Sequence, residues 1–247
     1  STSNPEIIAH IAVHTEIGDD PKSLEYSEEY WAPLVELVEL ANYYDIKLTI
    51  QFIPQTAEYI LQDESKLLIV RSWEQKGHEL GFHHHGLSHV KWDGYTNDPT
   101  SIPGRFSSEY IGTMADAITL VNQLSISGKI LTAAITDERT DWIAGTLYET
   151  EGFSDSDSGL LSQPHTTAEG SIELYARPYA TGKAPDVTLE EIEESLLNVE
   201  DGYYLGITLS DNGYDTNKDD VEDLFKFIQE NNIKTNTIAE TLSDYSS

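Results

Sequence analysis

The chain's 247 residues include 38% hydrophobic and 10% aromatic side chains, enough for a sizeable core in one large α/β domain or two small ones. Its 44 Asp and Glu against 14 Lys and Arg give a net charge of −30, which repels phosphates and anionic headgroups and excludes nucleic acid and membrane surfaces as partners. Cysteine is absent, which excludes disulfides and thiolate chemistry, and no apolar run reaches the roughly 18 residues of a membrane span.

The apolar run from Ile7 to Val13 predicts a buried strand ending in His14-Thr15-Glu16. Ser27 is the expected N-cap of a helix carrying Leu34, Val35, Leu37, Val38 and Ala41 at helical spacing, with Tyr30 in the capping-box position. Lys47 to Ile53 predicts a second strand, stopped by Pro54. Thr56 is the expected cap of a helix through Ile60 and Leu61, and Lys66 to Lys76 predicts another, closed by Gly77. Leu80 to His85 predicts the third strand, and a loop rich in aromatics, glycine and proline follows from Trp92 to Gly104. A helix is expected from Ser107 or Ser108 through Val121. Ile130 to Ile135 predicts a fourth strand ending at Thr136-Asp137-Glu138-Arg139, and Gly145 to Tyr148 a short fifth. Ile172 to Ala176 and Tyr203 to Leu209 predict the sixth and seventh, with helices at Leu189 to Val199 and Val221 to Glu230. Acidic residues are spread through the chain, Glu190, Glu191, Glu193 and Glu194 in one of these helices and Asp219, Asp220, Glu222 and Asp223 at the other. Such a surface suits plain solubility or a salt-rich milieu, in the cytoplasm of a prokaryote or outside the cell.

Strands alternating with helices, without a linker, predict a closed or nearly closed barrel of about seven parallel strands, one domain over residues 1–247. Chemistry in such barrels sits at the C-terminal strand ends. His14 and Glu16 fall there, as do His83, His85, the following His89, Asp137, Arg139, and Ser210-Asp211-Asn212. Five of the eight histidines lie within the thirteen residues 77–89. His83 and His85 share one face of a strand, while His85 and His89 meet on a turn, so one divalent cation, zinc by preference, can find two or three imidazoles here. The duller reading is a solvated polar loop. His84 is expected to point away, and His78 to pack under the preceding helix.

Gly77-His78-Glu79-Leu80-Gly81-Phe82-His83 resembles the G-H-E-I-G-N-H element of the polysaccharide deacetylases of the NodB-homology group. The order of helix, Lys-Gly-His-Glu, strand and histidine loop is similar, as is the end of the chain, where a strand, a helix and a short last strand near Ile233 to Ile238 follow one another. The resemblance implies a distorted (β/α) barrel and metal-dependent removal of N- or O-acetyl groups from a carbohydrate. The chain departs from the pattern in three places. The family's T-F-D-D after strand one, which holds the base and a metal-ligand Asp, aligns within Ile11-Ala12-Val13-His14-Thr15-Glu16-Ile17-Gly18, placing Glu16 at the base and Ile17 at the ligand. Leu87 stands where the second family histidine follows His83, and the late histidine near Ser210-Asp211 is missing.

A repaired centre is therefore expected: His85 and His89 with His83 or His14 completing the metal set, and Glu16 as proton acceptor. Asp137 would orient neighbouring groups, Arg139 would pair with Glu16 or a substrate carboxylate, and Trp92, Tyr95 and Trp142 would stack on sugar. Each has a plainer alternative, as strand-end acid, core histidine, surface ion pair or loop anchor. Two functions stay open: a metal-dependent carbohydrate deacetylase, and a non-catalytic module that binds metal or polysaccharide.

Overall fold

The computed structural model describes residues 6–17, 25–102, 109–136, 141, 148–151, 160–168, 170–182, 186–197 and 199–245. Seven parallel strands form its centre: β1 (Ile8–His14), β2 (Thr49–Phe52), β3 (Glu79–His85), β4 (Thr132–Thr136), β5 (Tyr148–Glu151), β8 (Ile172–Tyr175) and β10 (Tyr204–Ser210), in the order β10-β1-β2-β3-β4-β5-β8. Short strands decorate it: β6 (Leu161–Ser162), β7 (His165–Thr166), β9 (Arg177–Pro178) and β11 (Lys234–Asn236). The sheet curls into the distorted barrel because residues 172–178 bridge its two ends. β8 pairs with β5, and one residue later β9 pairs with β10.

The connections are α1 (Glu28–Tyr43), α2 (Pro54–Leu61), α3 (Glu64–Gln75), α4 (Met114–Asn122), α5 (Leu189–Leu196), α6 (Asp211–Thr216) and α7 (Lys218–Glu230), with α8 (Ile238–Tyr245) last. Alternation along the strands sorts two faces. Ile11, Val13, Ile50, Phe52, Leu80, Phe82, Ile207 and Leu209 turn outward into the main core beneath the helices. Ala12 and Leu174 turn inward and meet Ile238 and Leu242 of α8, which plugs one end of the barrel. Its first turn is tied down by Glu79, which accepts the Ala239 N–H at 3.0 Å, and by Thr49 Oγ1, which accepts the Ile238 N–H at 2.9 Å.

Several expected boundaries move. Pro54 opens α2 at its first turn, where a missing N–H costs nothing, so Thr56 lies inside the helix and does not cap it. Ser27 is the N-cap of α1 by position, but its side chain makes no capping bond. α4 starts at Met114, not at Ser107 or Ser108, because Thr113 and Asp116 form a full capping box; Ser107 and Ser108 lie outside the described residues. The short helices α6 and α8 were not expected. No helix among the described residues is long and apolar enough to cross a membrane.

Candidate metal centre

β1 delivers His14 to the mouth of the barrel, and the chain stays pinned beyond it. Thr15 N–H donates to Gln51 O at 3.0 Å, Thr15 Oγ1 accepts the Ile53 N–H at 3.1 Å, and Glu16 N–H donates to Asp211 Oδ1 at 3.0 Å. Glu16 is thereby held with only 4% of its surface exposed. Asp211 is held in turn by Tyr26, whose hydroxyl donates to Oδ2 at 2.8 Å, and by the Asn212 N–H. Burial pushes the Asp211 carboxyl well above its usual range, and the charge of Glu16 adds to this against those hydrogen bonds.

β3 contributes the histidines, and its period of two divides them. His83 and His85 face the mouth. His83 Nδ1 lies 3.2 Å from Ala134 O, and His85 Nδ1 lies 3.1 Å from Lys91 O. A carbonyl oxygen only accepts, so both Nδ1 atoms carry the hydrogen and both Nε2 atoms present lone pairs. Those Nε2 atoms lie 3.0 Å apart, with Glu16 Oε1 3.8 Å from one and Oε2 3.5 Å from the other. Burial depresses the basicity of His83, against the pull of the neighbouring Glu16 carboxylate. Two facing lone pairs beside a carboxylate need a cation between them, a proton or a metal ion. Fixing the ring through the opposite nitrogen is how metal-binding imidazoles are commonly oriented, so these residues fit a metal. His14 stacks on His83 at 4.0 Å between centroids, and ligand atoms of His14, Glu16 and His83 all lie within 4.8 Å of one another.

His89 stands apart from this convergence. Its ring lies tilted by 30° against His85 with centroids 4.2 Å apart, and its Nδ1 accepts the Lys91 N–H at 3.1 Å. The four-residue spacing brings the two rings into contact here. Of the expected sugar platform, Trp92 is fully buried with its indole N–H on Tyr95 O, and Tyr95 is 8% exposed within the core. Both anchor the loop and cannot stack on a ligand. Asp137, Arg139 and Trp142 lie outside the described residues. His78 packs under the helix as expected, its Nδ1 accepting the Leu48 N–H at 3.1 Å.

His84, on the opposite face of β3, builds a polar cluster with no counterpart in the sequence reading. Its ring nitrogens meet Asp93 Oδ2 at 2.8 Å and Asp141 Oδ2 at 3.2 Å, all with fully buried side chains. Burial alone would lower its pKa, but the two carboxylates outweigh it and raise it to about 9. Asp93 also accepts the His85 and Tyr95 N–H groups, and Asp141 the Thr96 hydroxyl and the Asn97 N–H. This buried ion cluster fixes the loop after β3, and with it Lys91 O behind His85. No local sequence signal joins residues 9 and 57 positions apart.

Two clefts flank the Tyr26–Asp211 contact. One, of about 400 Å³, is lined by Glu25, Tyr26, Gln55, Glu58 and Tyr59. The other, of about 390 Å³, is lined by Glu29, Tyr30, Asn212 and Asp215 among others.

No protein-family profile matches the sequence, and a search of curated proteins finds no match. Solved structures do match. A 4-alpha-glucanotransferase from Thermococcus litoralis aligns with TM-score 0.57 and 13% identity over 96% of this chain, which spans 40% of that protein's length. A Mycobacterium smegmatis protein assigned as a polysaccharide deacetylase aligns with TM-score 0.55 and 13% identity over 99% of this chain and 92% of its own. A deacetylase solved with its substrate gives 0.51 and 9% over 97% and 92%. At these identities the likeness concerns architecture, and the chain has the distorted (β/α) barrel fold of the polysaccharide deacetylases.

Proposed function

We propose that the chain is a metal-dependent hydrolase that removes N- or O-acetyl groups from a carbohydrate. The observation carrying this reading is the pair of Nε2 lone pairs 3.0 Å apart beside the Glu16 carboxylate. His14, His83 and His85, with Glu16 beside them, would hold a divalent cation, zinc by preference for an imidazole-rich set. When bound, such an ion lowers the pKa of water and polarises an acyl carbonyl. Glu16 takes a proton from the attacking water on its carboxylate, and Asp211 and Tyr26 keep that carboxylate in place through the Glu16 backbone. The tyrosine- and carboxylate-lined clefts beside them suit sugar faces and hydroxyls. Asp137 and Arg139 remain candidates for orienting and pairing roles at the end of β4.

One observation favours a non-catalytic binding module. Ile17, at the position of the family's ligand Asp, is fully buried, and its carbonyl accepts Lys91 Nζ at 2.9 Å. The two readings separate on acetate release from a panel of acetylated saccharides with and without a chelator. Metal-dependent release supports the enzyme; metal binding without release supports the module.

A further inference from the structure

Gln51 stands in register with His14 on the neighbouring strand and on the same inward face. Its other neighbour is Gly81, two residues before His83. Its side chain runs across that glycine, with Cγ 2.9 Å from where a Gly81 Cβ would stand. It therefore leans from β2 toward the column of β3 that carries His83 and His85, roughly 6–7 Å along the strand below His83. The side chain is completely buried, and neither its amide oxygen nor its amide nitrogen has a hydrogen-bond partner. A buried amide left unbonded costs free energy that an apolar side chain of the same length would not.

We propose that Gln51 is a positioning residue of the metal centre, its amide completing the hydrogen-bonding shell beneath a bound divalent cation, directly or through one water. The proposal rests on the reading that the centre binds such a cation. Gln51 supplies a neutral oxygen beneath the histidines of a chain whose family-type ligand carboxylate is replaced by Ile17, and Gly81 is the residue that makes room for it.

The test uses zinc and two variants. Gln51→Met keeps length and removes the amide. His10→Leu removes another inward-facing, fully buried polar group, four residues below His14, and serves as the control. Zinc affinity is measured by competition with a chelating dye, and thermal unfolding is followed with and without saturating zinc. Expected is a 10- to 100-fold loss of zinc affinity for Gln51→Met, as for other groups that support metal ligands. Its metal-free melting temperature should be no lower than that of the parent, while His10→Leu should bind zinc normally. Gln51→Glu, which restores an oxygen at the same place, should recover binding. Unchanged zinc affinity in Gln51→Met, or an equal loss in His10→Leu, overturns the proposal. Absence of zinc binding in the parent chain would instead remove the metal reading itself.

Discussion

Two neutral imidazoles that each give their Nδ1 hydrogen to a carbonyl turn their Nε2 lone pairs on each other at 3.0 Å, so His83 and His85 speak most directly for a cation site. Their pairing was legible from a spacing of two on a strand. Asp211 was placed at the mouth by its strand end, but its bond to Glu16, like the roles of Gln51, Tyr26 and the His84 cluster, was not legible, because such partners are set by strand register and lie up to 195 residues away. Glu16→Gln preserves the shape of the buried carboxylate and removes its basic oxygen. Acetyl hydrolysis should fall about 100-fold or more while zinc content, read by elemental analysis, stays near that of the parent. Loss of zinc would make Glu16 a ligand. Two histidines outside the centre should weaken the fold toward acid. Burial holds His10 at a pKa of about 4, and burial with the nearby Lys76 charge does the same for His78, both below the ordinary 6.5. The unfolded chain therefore binds protons before the folded one does as pH falls below 6.5. Each group should cost up to about 1.4 kcal/mol per pH unit until pH 4 is reached. Urea unfolding across this window should show the slope, and His10→Leu should remove one group's share.

At the scale of elements, the parallel strands were readable because strands covered on the outside by helices need continuous aliphatic runs, as in Ile7 to Val13 and Leu205 to Leu209. α6, with the sequence DNGYDT, has no apolar period and did not announce itself. Thr56 misled because Ser and Thr favour caps in general, whereas Pro54 was already placed at a helix start. Closure of the barrel depends on one close approach that hydropathy does not encode. A Cβ on Gly206 of β10 would stand 2.1 Å from Tyr175 O and 2.8 Å from His10 Nε2. Backbone cannot yield there as a flexible side chain would. Gly206→Ala should destabilise the protein by at least about 3 kcal/mol in chemical denaturation, in the upper range for overpacking. A cost under about 1 kcal/mol would mean that β8 and β10 are not held together as described.

The whole molecule carries −30 charges, and among the described residues its lysine ion pairs are mostly exposed, such as those of Lys47, Lys218 and Lys226 with acidic neighbours. Exposed pairs of this kind stabilise little, while self-repulsion of so many carboxylates works against the compact state. Melting temperature should therefore rise between roughly 0.05 and 1 M potassium chloride as the Debye length falls from about 14 to about 3 Å. A flat or falling curve would show that the acidic surface is not screened in this way. The fold and the centre meet in one measurement: acetate released from N- and O-acetylated saccharides by zinc-loaded protein, by chelator-treated protein, and after zinc is restored. Release that is lost on chelation and returns with zinc is the expected result. No release from any of the three preparations, or release that a chelator leaves untouched, would contradict a metal-dependent deacetylase built on His14, Glu16, His83 and His85.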